Sequence, residues 1–394
     1  MKRKNLLMKT ISLALIAAMA LTGCSTGGTE GSSGSGAADE STGSDSDMIN
    51  IGVALPTTGT NAKDGESCYN GAKAAVEEIN EAGGINGKKV NLVYEDDQSD
   101  ASQAAAIANK FVENDDILAV ISSYSSSPAL AAVPIYDKAG LAMLCPSGTS
   151  PALSGVSKYF FRVCASDAYL GSSCGTWSGD LGWKKVAVLY ESDDWGEGLK
   201  TEYEKAAEAA GIEIVMEEKY TAGQTTDFNS ILTKVKNADV DGVFLGSLYN
   251  EAALIVKQAK TLGVDVPFMG TDGLYSPAYI ELAGANADGS LLLGAFYPES
   301  EDENVKSFIE SYQKALGTDE VPGTYEAFGY DCAMVIMEAM KTCETLDRES
   351  IRNAIAATKD YVGASGTCSF DENGDCAKEY IHMTVKDEKF VIAD

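Results

Sequence analysis

Residues 49–97 read INIGVALPTTGTNAKDGESCYNGAKAAVEEINEAGGINGKKVNLVYEDD. Ile49 to Leu55 is a short apolar run of strand length. From Gly65 to Ala82, small and apolar residues (Cys68, Ala72, Ala75, Val76, Ile79) recur at spacings of three and four, the period of a helix with one buried face. Gly83-Gly84 ends that helix, and Val90 to Tyr94 returns to a strand pattern. Strand, helix and strand in this order predict two parallel strands joined by a crossover helix.

Outward from this unit the pattern repeats. Helix Ala101 to Glu113, opened by an Asp100-x-x-Gln103 cap, precedes strand Ile117 to Ile121, helix Pro128 to Lys138 and strand Ala142 to Cys145. A second series begins after Arg162: strand Val186 to Tyr190, helix Glu197 to Ala210, strand Ile212 to Glu217, helix Phe228 to Lys236, strand Gly242 to Leu245, helix Glu251 to Leu262 and strand Pro267 to Gly270. Alternation of this kind predicts parallel sheets covered by helices, so the fold class is α/β with two doubly wound lobes. Helices Asn304 to Leu316, Ala327 to Cys343 and Arg348 to Ala357, then a hairpin over Gly366 to Ile392, hold too little strand for a third sheet. They are expected to return and complete the earlier lobes. Repeated crossings make a three-segment hinge, and the cleft beside a hinge is where small ligands bind.

Composition narrows the functions open to such a fold. The chain has 394 residues, 59 acids against 30 bases and a net charge of −29. A surface that acidic suits neither a phosphate backbone nor an anionic membrane face, which excludes nucleic acid as a partner. One histidine, His382, leaves little for histidine catalysis or a zinc site, and no metal or cofactor is expected. The nucleophile elbow G-x-S-x-G, the phosphate loop and G-x-G-x-x-G are all absent, and adjacent acids such as Asp96-Asp97 read as solvated loop residues. The chain is not expected to be an enzyme.

The amino terminus reads as an address. Lys2, Arg3, Lys4 and Lys9 precede an apolar run from Thr10 to Leu21, too short to span a bilayer, which takes roughly 20 residues. It ends in Leu21-Thr22-Gly23-Cys24, similar to a bacterial lipobox. Residues 1–23 are then a lipoprotein signal peptide and Cys24 the lipidated residue, with an ordinary signal peptide and an incidental cysteine as the alternative. Removing residues 1–23 leaves 26 bases against 59 acids, a charge of −33. Ser25 to Asp47 contains only Ser, Gly, Thr, Ala, Asp and Glu, a flexible acidic linker with nothing large to bury. The protein is expected outside the cytoplasm, lipid-anchored to the cell membrane. Cys368 and Cys376 flank an Asn373-Gly374 turn signal and are candidates for a disulfide across two strands; the other cysteines after Cys24 read as small buried apolar residues.

Ligands of open α/β sheets sit at strand ends. Ser122-Ser123-Tyr124-Ser125-Ser126-Ser127-Pro128 follows one strand, and its hydroxyls and helix-start N–H groups suit a carboxylate. Pro146-Ser147-Gly148-Thr149 follows the next. In the second series the strand ends carry Trp195-Gly196-Glu197-Gly198, Ser247-Leu248-Tyr249-Asn250 and Thr271-Asp272-Gly273. Together these predict a site for a small zwitterion, with Asp272 on the ammonium and Ser123 and Thr149 on the carboxylate.

The order of several short stretches resembles the type I periplasmic-binding-protein family, in its branched-chain amino-acid (leucine/isoleucine/valine) ABC-transporter group. The stretches are Ile51-Gly52-Val53-Ala54-Leu55-Pro56-Thr57-Thr58-Gly59, Asn80 to Gly87, Tyr94-Glu95-Asp96-Asp97, Pro146 to Thr149, Gly196-Glu197-Gly198 and Phe268-Met269-Gly270. The resemblance runs from Ile49 to the carboxyl terminus. It implies a ligand-binding domain over residues 48–394, with lobe 1 at about 48–167 and 296–378 and lobe 2 at about 168–295 and 379–394. It also implies that Ser123 and the Thr149 backbone hold a ligand carboxylate. The Ser147 carbonyl, the Thr149 hydroxyl and Asp272 would take the α-ammonium. Trp195 would close the cleft from the second lobe, and Leu248 and Tyr249 stand where the family has tyrosine. Asp64 falls in the side-chain pocket, where leucine binders carry an aromatic, and an acid there is costly beside a buried aliphatic group. The implied function is a monomeric solute-binding lipoprotein that captures an amino acid and delivers it to an ABC permease with its ATPase subunits. A ligand-sensing receptor of the same fold, or a binder of an amide, aromatic or other small organic solute, is the alternative.

Overall fold

The structure, a computed structural model, describes residues 48–393. The signal segment, Cys24 and the Ser25–Asp47 linker lie outside the described residues.

The first series builds β1 (Met48–Ala54), α1 (Ala62–Glu81), β2 (Lys89–Glu95), α2 (Ala101–Val112), β3 (Ile117–Ser122), α3 (Ser126–Ala139), β4 (Ala142–Cys145) and β5 (Phe160–Arg162). Its five strands pair in parallel in the order β2-β1-β3-β4-β5. The central strands are apolar along nearly their whole length because helices cover both faces, the usual reason a parallel strand does not alternate.

The second series builds α4 (Asp167–Asp180), β6 (Lys185–Glu191), α5 (Asp194–Ala209), β7 (Glu213–Tyr220), α6 (Asn229–Asn237), β8 (Gly242–Gly246), α7 (Tyr249–Leu262), β9 (Phe268–Gly270), α8 (Pro277–Ala283) and β10 (Leu291–Gly294). The remaining chain forms α9 (Glu303–Leu316), α10 (Thr324–Thr342), α11 (Arg348–Ala356), β11 (Tyr361–Gly363), β12 (Gly366–Cys368), β13 (Ile381–Lys386) and β14 (Lys389–Ile392). The second sheet has the order β14-β13-β10-β9-β8-β6-β7, parallel except where β13 and β14 run antiparallel. Phe308, Tyr325, Phe328, Ile351 and Ile355 share one apolar core with Ile51, Val53 and Ile121 of the first sheet. The last stretch thus adds helices to the first lobe and two strands to the second, and the chain crosses between lobes three times.

Two features differ from the expected pattern. Gly366 to Ile392 is not one hairpin: β12 pairs with β11, while β13 and β14 join the second sheet. In backbone register Cys368 lies opposite Tyr361 and Cys376 opposite Phe370, and the two sulfhydryl groups are within hydrogen-bond reach of each other. The strand β5 and helix α4 between the two series carry no amphipathic signal. Helix α4 instead packs Gly171, Gly175 and Gly179, one face at spacings of four, against Tyr203 and Ala206 of α5 and Ala210 just past its end.

The α1–α10 contact positions two residues beside the cleft. A methyl group on Gly71 would collide with the Glu326 carbonyl oxygen, and one on Gly329 with the Cys68 carbonyl oxygen. Each helix therefore supplies the glycine that admits the other's backbone, and this close approach sets where Asp64 of α1 and Tyr325 of α10 stand. Because backbone cannot rotate away from a new methyl group, Gly329→Ala is expected to lower unfolding free energy by about 1–3 kcal/mol. Urea unfolding of the variant against the parent chain checks this; an unchanged midpoint would mean the two helices are free to separate.

Candidate functional site

The loops at the carboxyl ends of both sheets enclose a cavity of about 250 Å³. That lies near the lower edge of the roughly 300–1,000 Å³ common for small-molecule sites. Its first-lobe wall is Thr60 and Asn61 from the β1–α1 loop, Tyr124 to Pro128 after β3, Ser147 after β4, and Tyr325 of α10. Its second-lobe wall is Glu191 to Asp193 and Trp195, Thr221 and Ala222, Leu248 and Glu251, and Asp272 and Gly273. Several contacts bridge the lobes around it, among them Ser150 Oγ donating to the Asp194 carbonyl at 3.4 Å. Tyr325 Oη donates to the Asp272 carbonyl at 3.2 Å, Ser127 Oγ to Asp194 Oδ2 at 2.9 Å, and Asn250 Nδ2 to the Thr60 carbonyl at 3.4 Å. Lys63 pairs with Glu281 at 3.4 Å.

The positive end of this cavity is backbone. Ser125 starts α3 without a side-chain cap, and no described group accepts from the Ser126 or Ser127 N–H. Unused N–H groups and the helix dipole together make an anion site. The neighbouring loop is held in place from below. Ser126 Oγ accepts from Ser150 N at 3.1 Å, and the buried Arg162 donates to the Gly148 and Ser150 carbonyls, each at 3.0 Å. That loop leaves Thr149 buried, its side chain turned toward the Asp167 carboxyl.

The negative end is made of carboxyls. Asp272 is buried; its Oδ2 accepts from Tyr380 Oη at 3.2 Å. Burial lifts its pKa to about 6, with the Tyr380 hydroxyl opposing the rise. Glu191, at the end of β6, accepts from Leu248 N at 3.0 Å, and burial pushes it up to about 8 against that bond. Behind the lining, Asp167 begins α4 with its N–H on the Thr149 carbonyl at 2.8 Å; burial drives its pKa up, with the Thr149 hydroxyl and the Trp195 side chain opposing the rise. No Lys or Arg lines the cavity.

Of the residues expected from sequence, Ser147, Trp195, Leu248 and Asp272 line the cavity, while Ser123, Thr149, Tyr249 and Asp64 do not. Ser123 has a left-handed φ of 65°, its N–H on the Ala54 carbonyl at 2.8 Å and its own carbonyl receiving the Cys145 thiol at 3.1 Å. It shapes the turn, and Ser125 to Ser127 face the cavity. Asp64 sits in the first turn of α1, behind the lining, where Oδ2 accepts from Tyr124 Oη at 2.8 Å. Burial raises Asp64 to about 7, the Tyr124 bond opposing. Trp195 stands in the first turn of α5, capped by Asp193 through Gly196 N at 2.8 Å, and is not on a free loop. Sequence reasoning missed Asn61, Glu191, Glu251 and Tyr325. The strand-end rule reaches Glu191, the last residue of β6; Tyr325 lies on a helix far along the chain, with no local signal.

Buried carboxyls with raised pKa values, among them Asp272, Asp64 and Glu191, set a pH dependence. The unfolded chain releases these protons near pH 4, the folded chain only near 6 to 8. The folded state therefore binds more protons between those limits, and the stability they contribute, full below about pH 4, is lost as pH rises through about 8. The urea midpoint of ligand-free protein should fall between pH 5.5 and 8.5, and Glu191→Gln should make the fall shallower by about 1 kcal/mol or more. An identical slope in parent and variant would show that Glu191 ionises like an exposed acid.

Comparison with known proteins bears on the whole described chain. The periplasmic binding protein family model matches residues 48–389. A Pseudomonas aeruginosa leucine-, isoleucine-, valine-, threonine- and alanine-binding protein is 34% identical over 333 residues, covering 84% of this chain and 87% of that protein. The branched-chain amino-acid transporter substrate-binding protein LivJ of Streptococcus pneumoniae, solved with isoleucine, superposes with a TM-score of 0.81 at 31% identity, over 87% of this chain and 97% of its own. The leucine-binding protein LivK of Thermotoga maritima gives a TM-score of 0.81 at 28% identity, over 88% of this chain and 98% of its own. The fold, the cleft between lobes and these relatives agree: the chain belongs to the periplasmic binding protein family, with the type I fold of its branched-chain amino-acid transport members, and is an extracytoplasmic substrate-binding protein, not an enzyme.

Proposed function

We propose that this protein captures an α-amino acid in the cleft and delivers it to an ABC permease and its ATPase subunits, as a monomer anchored by lipid at Cys24. The observation that carries this reading is the polarity of the cavity. Unused N–H groups at the start of α3 lie at one end and the buried carboxyl of Asp272 at the other. The α-carboxylate sits on the Ser126 and Ser127 amides, with the Thr149 N–H beside them. The α-ammonium takes the Asp272 carboxylate and the Ser147 carbonyl, both on residues that line the cavity. Trp195 and Leu248 cover the side chain from the second lobe. Lobe closure follows because the ligand meets Asp272 and Trp195 only when the lobes are together, and differential affinity for that state drives the shift.

Calorimetric titration of a panel of amino acids, after unfolding and refolding to strip co-purified ligand, tests the reading. At least one α-amino acid should bind at about micromolar strength, near −8 kcal/mol. Asp272→Asn should weaken it by about 30-fold or more, the loss typical when one partner of a buried charge pair is removed. Binding by none of the panel would end the amino-acid reading. For the anchor, Cys24→Ala should move the protein from the membrane fraction to the soluble one; unchanged fractionation would assign residues 1–23 to an ordinary signal peptide.

A further inference from the structure

The second-lobe wall holds more acceptors than a neutral amino acid uses. Glu191 and Glu251 are 3% and 4% exposed, and both line the cavity. Glu191 Oε1 takes the Leu248 N–H at 3.0 Å and Glu251 Oε1 the Gly223 N–H at 2.8 Å. No described residue donates to the second oxygen of either carboxyl. Across the cleft, Asn61 is 7% exposed, and its Oδ1 is buried without a partner. The two lobes meet at this point: Asn250 Nδ2 reaches the Thr60 carbonyl at 3.4 Å, and Gly223 lies against the Thr60 side chain.

We propose that this corner is a subsite for a second positively charged nitrogen, so that the ligand is a basic amino acid, its side chain ending in an ammonium or guanidinium group. The inference rests on the amino-acid reading above. Two carboxyls with a free oxygen each and an orphan amide oxygen are all acceptors on residues that line one cavity, where no Lys or Arg of the protein supplies a donor. A cationic head fills all three roles at once: it donates up to three hydrogen bonds as an ammonium, or five as a guanidinium, and neutralises the carboxyls. An aliphatic side chain closed into the same corner would leave every one of these acceptors desolvated and without a donor. Trp195 and Leu248 line the cavity as well, and they suit the methylene stem of a long basic side chain.

The test titrates the full-length protein, stripped of co-purified ligand, with L-lysine, L-arginine, L-glutamine, L-leucine and L-isoleucine. Lysine or arginine should bind at least tenfold tighter than the three neutral amino acids. The Glu191→Gln, Glu251→Gln double variant should lose that preference, with basic ligands weakened at least tenfold relative to neutral ones. Tighter binding of leucine, isoleucine or glutamine than of either basic amino acid overturns the subsite while leaving the amino-acid reading intact. Binding of none overturns both. Should the double variant fail to fold, the ranking on the parent protein decides alone.

Discussion

The cleft depends on one buried cation. Arg162 is fully buried at the end of β5, and a guanidinium stays protonated at any pH a protein meets, so each of its donors needs an acceptor. It finds Asp375 Oδ1 at 2.7 Å, Ser154 Oγ at 2.7 Å and the carbonyls of Gly148 and Ser150. Its own N–H reaches the Gly374 carbonyl at 3.0 Å. Three separate pieces of chain thereby become one: the first-lobe edge strand, the loop that carries Ser147 and Thr149, and the segment leading into the last crossing. A loop fixed through its carbonyls from beneath holds Ser147 at the cavity wall.

The same division of labour runs across the cleft. On the first lobe the recognition groups are mostly backbone amides and small hydroxyls at the start of α3, held by packing of helices α1 and α10. On the second they are carboxyls and aromatics at strand ends. Neither wall alone surrounds a zwitterion. The bonds that join the walls in this closed form are few and mostly involve exposed side chains, such as Ser127 with Asp194 and Lys63 with Glu281. Exposed pairs of that kind contribute about 0–1 kcal/mol each. On the proposed function, opening meets little resistance from these bonds, and differential affinity of the ligand for the closed state would favour closure.

The α/β architecture was readable because the strands are apolar without alternation and the helices keep a strict period, as in Ile49 to Ile79. What stayed hidden was packed by shape instead of by apolar period. Helix α4, Asp-Ala-Tyr-Leu-Gly-Ser-Ser-Cys-Gly-Thr-Trp-Ser-Gly-Asp, reads as a loop because its contact with α5 is made through glycines. At the site, strand-end logic found Ser147, Trp195, Leu248 and Asp272. In the serine run the sequence points to Ser123, while Ser125 to Ser127, after the left-handed turn at Ser123, line the cavity. Asp64 was read as a pocket residue and stands one layer behind, under Tyr124. Glu191, Glu251 and Asn61 come from three distant segments, and only the closed fold brings them to one corner.

The account's central claim is that both charged ends of an α-amino acid are recognised, one on the amides of α3 and one on Asp272. The most direct measurement titrates each amino acid that binds against its α-amide, which lacks the carboxylate, and its N-acetyl derivative, which lacks the ammonium. Both should bind about 100-fold more weakly than the parent, because each leaves one buried end of the cleft without its partner. A derivative that binds as well as its parent would show that the end it lacks is not recognised, and the assignment of that end of the cavity would fall.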